Sequence, residues 1–88
     1  MSKKQLTKRG RWQVILHDDD MLHVDIVIEC LMDICAHNYI QAVQCSELVH
    51  GAGRCSIFVD VWDECDDVRQ ELHEQGLTVT IEKYKKYV

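Results

Sequence analysis

Apolar and polar positions along the chain switch between a period of two and a period near 3.6, and the switches divide it into six elements. Trp12, Val14 and Leu16 alternate with Arg11, Gln13 and Ile15, which predicts a first strand buried mainly on one face. His17-Asp18-Asp19-Asp20 interrupts it. Aspartates disfavour strands and favour turns and helix N-caps, and Asp20 is the expected cap of the first helix. In that helix Val24, Val27, Ile28, Leu31, Ile34 and Cys35 recur on one face, with Asp25, Glu29 and Asp33 opposite. His37-Asn38 breaks the pattern, and Asn38 is a good cap for a second helix that places Tyr39, Ala42, Val43, Ser46, Val49 and His50 on one side.

Gly51-Ala52-Gly53 ends that helix, as C-terminal glycines do. A second strand is predicted from Cys55 to Asp60, with Cys55, Ile57 and Val59 alternating against Ser56, Phe58 and Asp60. A third helix directs Val61, Cys65, Val68 and Leu72 to the core and closes at Gly76. Leu77, Val79 and Ile81 alternate with Thr78, Thr80 and Glu82 in a last strand. The order β-α-α-β-α-β predicts an α+β sandwich: a small three-stranded antiparallel sheet with three helices packed on one face. Residues 1–10 are polar and basic and are expected to form a flexible arm, leaving residues 11–88 as one domain.

Charge changes the picture. The net charge is −5, yet Lys3, Lys4, Lys8, Arg9 and Arg11 crowd the first residues, while all fifteen acidic residues lie from Asp18 onward. An acidic body argues against nucleic acid as a partner and favours cationic ligands, a free amino terminus among them. No apolar run approaches the roughly 20 residues that span a bilayer, and the basic start lacks the apolar stretch of a signal peptide, so no membrane association is expected. Cys30, Cys35, Cys45, Cys55 and Cys65 are odd in number and contain no C-x-x-C pair. They read as reduced thiols of a cytoplasmic protein, behaving as small hydrophobes.

Candidate chemistry concentrates in Asp18, Asp19 and Asp20 after the first strand and in His50 near the end of the second helix. The bland account is a solvated turn and a histidine that complements the helix dipole. His17, Asp18, Asp20, His23 and His50 are metal-ligand types, but no tight spacing groups them. Cys45 precedes His50 by five residues and does not face it on a helix, so no nucleophile–base pair is evident and no catalysis is expected. No cofactor is implied.

The sequence resembles the ClpS adaptor family. The family pattern runs Val-Ile-Leu-x, Asn-Asp-Asp, Tyr-Thr-Pro-Met, then an apolar helix. This chain runs Val14-Ile15-Leu16-His17, Asp18-Asp19-Asp20, Met21-Leu22-His23-Val24, then Val27-Ile28 and Leu31. The family's Val-His-x-x-Gly at the end of its second helix corresponds to Val49-His50-Gly51-Ala52-Gly53, with no gap between the two marks.

The resemblance implies an adaptor. It would bind protein substrates whose first residue is large and hydrophobic, an N-degron, and deliver them to the N-terminal domain of a Clp AAA+ unfoldase of the ClpA or ClpC type. By position it implies that Asp18, Asp20 and His50 hold the substrate's amino terminus. Val24, Val27, Ser46, Val49 and Leu77 would form the hydrophobic pocket. An ammonium offers three donors, and bonds to charged groups contribute about 1.5–3 kcal/mol each. The imidazole must be neutral to accept one, so acid should weaken binding. Asp18 stands where the family has Asn, and Val24 and Ser46 replace larger wall residues, which predicts a wider, slightly polar hollow. Val61-Trp62-Asp63-Glu64-Cys65 also departs from the family at a region that helps dock the unfoldase. The rival expectation is therefore a domain of this fold with an altered protein partner and no amino-terminal pocket.

Overall fold

A computed structural model of the chain describes residues 8–85. Its elements are β1 (Trp12–His17), α1 (Val24–Ile34), α2 (Tyr39–Ala52), β2 (Arg54–Asp60), α3 (Trp62–Glu74) and β3 (Val79–Lys83). The three strands form one antiparallel sheet in the order β2-β1-β3. The α+β order and the three-helix, three-strand composition are those the periodicity predicts. Of the expected basic arm, residues 1–7 lie outside the described residues. Lys8 places its ammonium over the Trp62 ring, 3.4 Å from the centroid, and Lys83 Nζ donates to the Arg9 carbonyl.

The first strand is the apolar centre of the sheet because it has a neighbour on each side. Val14 and Leu16 point into the core shared with Leu31, Ala42, Val49, Cys65 and Leu72. α3 lies on β1 and β3, α2 lies against β2, and α1 packs on α2 and α3. Ile15 is also buried, at 2% exposure, although it points to the opposite face. Its cross-strand neighbours are Ser56 and Thr80. The register carries an Arg54–Glu82 ion pair, 2.6 Å long, from one edge strand to the other across the Ile15 position. Burial of β1 on both faces thus follows from its central place, where the alternation predicted one face.

β2 departs from simple alternation. Its register with β1 slips between Val14 and Ile15: Val14 pairs with Phe58 but Ile15 pairs with Ser56, leaving Ile57 as an extra residue. This bulge turns both Ile57 and Phe58 toward the core. Beyond it the phase of the alternation is inverted, and Phe58 rather than Val59 packs against the core. Val61 is likewise not inward. It is the exposed N-cap of α3. Tyr39, at the start of α2 before the helix reaches the core, is exposed as well.

The helix ends show how local chemistry sets the boundaries. Asn38 caps α2 through a reciprocal capping box with Gln41. α1 is capped by His23, whose Nδ1 accepts from the Asp25 N–H at 3.2 Å. The expected cap Asp20 lies three residues too early, in the preceding turn. α1 ends with Ala36 in the left-handed region at φ 60°, and the His37 N–H returns to the Leu31 carbonyl at 3.1 Å. α3 ends in the same way at Gly76, φ 95°. Gly76 N–H bonds the His73 carbonyl, and Leu77 N–H bonds the Leu72 carbonyl. In that motif the residue after the glycine folds back on the helix, and Leu72 and Leu77 are both fully buried.

Candidate functional site

Two backbone hydrogen bonds bring the aspartate turn to the end of α2. Asp18 N–H donates to the Gly53 carbonyl at 3.0 Å, and His17 N–H donates to the Thr78 carbonyl at 2.9 Å. Gly53 is in the left-handed conformation at φ 91°, and its own N–H closes on the Val49 carbonyl. That geometry aims the Gly53 carbonyl away from α2 and at β1.

Between these elements opens a hollow of about 260 Å³. Its rim consists of His17, Asp18, Asp19, Asp20 and Thr78. α2 contributes Ser46, Val49 and His50, which stand at i, i+3 and i+4 and so share a face. α1 contributes Val24 and Val27 by the same rule, and Leu16 and Leu22 complete the apolar wall. Val24 is 49% exposed, which puts it at the mouth. Among the described residues no lysine or arginine lines the hollow. Three carboxylates and the carbonyl end of α2 give it negative potential, suited to a cation beside an apolar group.

The three aspartates are not equivalent. Asp19 accepts the Met21 N–H at 2.9 Å through Oδ1, and the Thr78 hydroxyl at 3.2 Å through Oδ2. It thereby forms an Asx turn that fixes the loop and ties it to the approach of β3. Asp18 and Asp20, on either side, are exposed. Among the described residues no side chain pairs with their carboxylates or with the His50 imidazole. Their acceptor atoms are available to a ligand.

Asp18, Asp20, His50, Val24, Val27, Ser46 and Val49, all singled out from the sequence, lie together around this hollow. Leu77 does not line it. It is 1% exposed and packs in the main core, because the cap of α3 folds it inward, and its neighbour Thr78 faces the hollow instead. Leu16, His17, Asp19, Leu22 and Thr78 are lining residues that sequence reasoning did not assign. The signal for Thr78 was available: in an alternating strand the residue beside a buried leucine points to the other side.

The remaining constellations are not assembled into sites of this kind. Among the described residues no group of three or more His, Cys, Asp or Glu side chains is placed to hold a metal ion. All five cysteines are free thiols. No helix among the described residues is long and apolar enough to cross a membrane.

No curated protein matches the chain. Among solved structures, ClpS2 of Agrobacterium tumefaciens bound to L-phenylalaninamide superposes with a TM-score of 0.81 at 19% sequence identity, over 84% of this chain and 96% of that one. That likeness establishes the shared fold. Residues 7–80, and so most of the chain, match the family described as ATP-dependent Clp protease adaptor protein ClpS. With its β-α-α-β-α-β order and its Val49-His50 and triple-aspartate marks set around one hollow, the chain belongs to the ClpS family of Clp protease adaptors.

Proposed function

We propose that the chain binds the N-terminal residue of protein substrates and presents them to a Clp AAA+ unfoldase. In this reading Asp18, Asp20 and His50 accept the three N–H donors of the substrate ammonium. The first side chain, large and hydrophobic, enters between Val24, Val27 and Val49. Ser46 gives one wall a polar point. The protein holds its ligand and performs no bond chemistry.

One observation carries the reading. The central aspartate is consumed by the turn, while the two outer carboxylates and the imidazole are left without partners among the described residues, above an apolar wall. A rigid loop with free acceptors over a hydrophobic hollow fits a group that is cationic at one end and apolar at the other. An α-amine with a large side chain is such a group, and the ligand of the similar ClpS2, L-phenylalaninamide, has both parts. Burial of a Leu or Phe side chain adds about 1.5–3 kcal/mol to the amine bonds. Five free thiols suit a reducing cytoplasm.

The start of α3 favours a second reading for the partner surface. Val61 is exposed, and Asp63 and Glu64 make the first turn acidic, so the docking partner is of a different character or is met elsewhere on the domain. The deciding experiment titrates peptides beginning with Leu, Phe, Trp or Tyr against N-acetylated twins. Binding that acetylation abolishes is the expected result. Equal binding of the two forms, or none of either, leaves only a protein-binding domain of this fold.

A further inference from the structure

One polar side chain of the hollow has no part in the grip on the amine. Asp19 and Thr78, both on the rim, hydrogen-bond each other at 3.2 Å. The His17 ring meets the Thr80 hydroxyl at 2.7 Å. Asp18, Asp20 and His50 are the acceptors assigned to the ammonium. Ser46 is left over. Among the described residues nothing bonds its hydroxyl, neither a side chain nor the Ala42 carbonyl one turn back, to which a helical serine can donate.

The place of Ser46 along α2 says which part of a ligand it would meet. α2 ends at the rim, where His50 is exposed and the Gly53 carbonyl takes the Asp18 amide. Ser46 comes four residues earlier, on the same face, and is half-buried. Four residues of helix rise by about 6 Å. A first side chain that runs from an amine at the rim along α2 passes Val49, with Val27 of α1 beside the path. Its atoms farthest from the amine arrive at Ser46.

The chemistry of that far end decides what the hydroxyl contributes. Leucine ends in methyl groups and phenylalanine in ring C–H. Either displaces water from the Ser46 hydroxyl and returns no hydrogen bond, which costs the desolvation of a polar group. Tyrosine carries an O–H on the far side of its ring and tryptophan an N–H on its indole, and Ser46 Oγ can accept from both. These two side chains keep the apolar burial and also satisfy the hydroxyl.

We propose that Ser46 is a specificity-determining residue, which makes the hollow prefer an aromatic first residue that carries a hydrogen-bond donor, tyrosine or tryptophan, over phenylalanine and leucine. The proposal rests on the amine-binding reading above and names the substrate class within it.

The test uses peptides that differ only at the first residue, each with an N-acetylated twin, titrated calorimetrically into the full chain. Tyr and Phe differ by one oxygen, and Trp is paired with benzothienylalanine, which has sulfur in place of the indole N–H. The Tyr and Trp peptides are expected to bind about 3- to 10-fold more tightly than their partners, the worth of one neutral hydrogen bond. Ser46→Ala, which favours the helix, is expected to bring each pair within about twofold, chiefly by weakening Tyr and Trp. Asp20→Ala is expected to weaken all four peptides and to preserve the ratios. The Tyr-to-Phe ratio of the unmutated chain gives the answer even if a variant fails to fold. Equal affinities within both pairs, or ratios that survive Ser46→Ala, overturn the assignment of Ser46 while acetyl-sensitive binding keeps the amine site standing. Binding that acetylation does not change, or no binding at all, overturns both.

Discussion

The amide of Asp18 and the carbonyl of Gly53, 3.0 Å apart, join the end of the central strand to the end of the second helix. The proposed amine site depends on this bond more than on any contact between the site's own side chains, because it sets the aspartate turn beside His50. Gly53 holds its carbonyl in place by a φ of 91°, which an L side chain adopts only at a cost.

Gly53→Ala is therefore expected to destabilise the protein by about 1–2 kcal/mol, although no atom stands within 4 Å of the added methyl. The converse change, Ala36→Gly, relieves the left-handed alanine at the end of α1 and should stabilise by about 0.5–1 kcal/mol. Urea unfolding of both variants checks the pair. Equal effects of the same sign would contradict the backbone account.

Alanine at Asp18, Asp20 or His50 should weaken binding of a Leu- or Phe-initiated peptide about 10- to 150-fold each, the loss of one charge-assisted hydrogen bond. The melting temperature should barely change, since no described side chain pairs with these groups. Asp19→Ala should behave differently. It removes the acceptor of Met21 N–H and Thr78 Oγ1, so stability and binding should fall together. Calorimetric titration beside thermal melts distinguishes the two patterns, and a purely functional loss at Asp19 would refute the division of roles.

Leu77→Ala is expected to cost about 2–5 kcal/mol, as a fully buried leucine leaves a cavity in the core. The fraction that remains folded in the cold should still bind peptide, because Leu77 does not line the hollow. Denaturant titration and peptide binding at low temperature test this. Lost affinity with unchanged stability would return Leu77 to the pocket.

Arg54 bonds Glu82 and holds its carboxyl below the ordinary carboxylate value. Because the folded value is depressed, the pair's contribution is complete above the unfolded carboxyl's titration and is lost as pH falls through the folded one. Arg54→Gln should move the Glu82 titration upward and remove the cover from the Ile15 side of the sheet. Carboxyl NMR titration at low and high salt reads this out. A Glu82 midpoint unmoved by the substitution would show that the pair does not form in solution.

Much of this architecture is legible in the sequence because the determinants are local. Asn38 with Gln41 marks the start of α2, Gly53 and Gly76 mark helix ends, and Leu31 and Leu72 keep helical spacing with their neighbours. The site is legible insofar as Ser46, Val49 and His50 share a face by arithmetic. Features set by tertiary context are not. Nothing in Ser56-Ile57-Phe58 announces a bulge, since alternation fits either phase until β1 fixes the register. Three consecutive aspartates give no sign that the middle one will be consumed by a turn, because its partner Thr78 is 59 residues away. Leu77 reads as strand by alternation and as helix cap by its place after Gly76, and the cap governs it because its N–H is already bound to Leu72.

The bonds from His17 to Thr78 and from Asp18 to Gly53 tie three distant stretches of chain into one circuit around the hollow. Every residue proposed to grip the amine lies within the first fifty positions, yet their arrangement is completed only when the C-terminal stretch arrives. A chain cut before β3 would carry the whole recognition vocabulary and say nothing with it. In the intact protein a bound amino terminus therefore reports on global folding. It should slow amide exchange in β3 and β1 as strongly as beside the ligand.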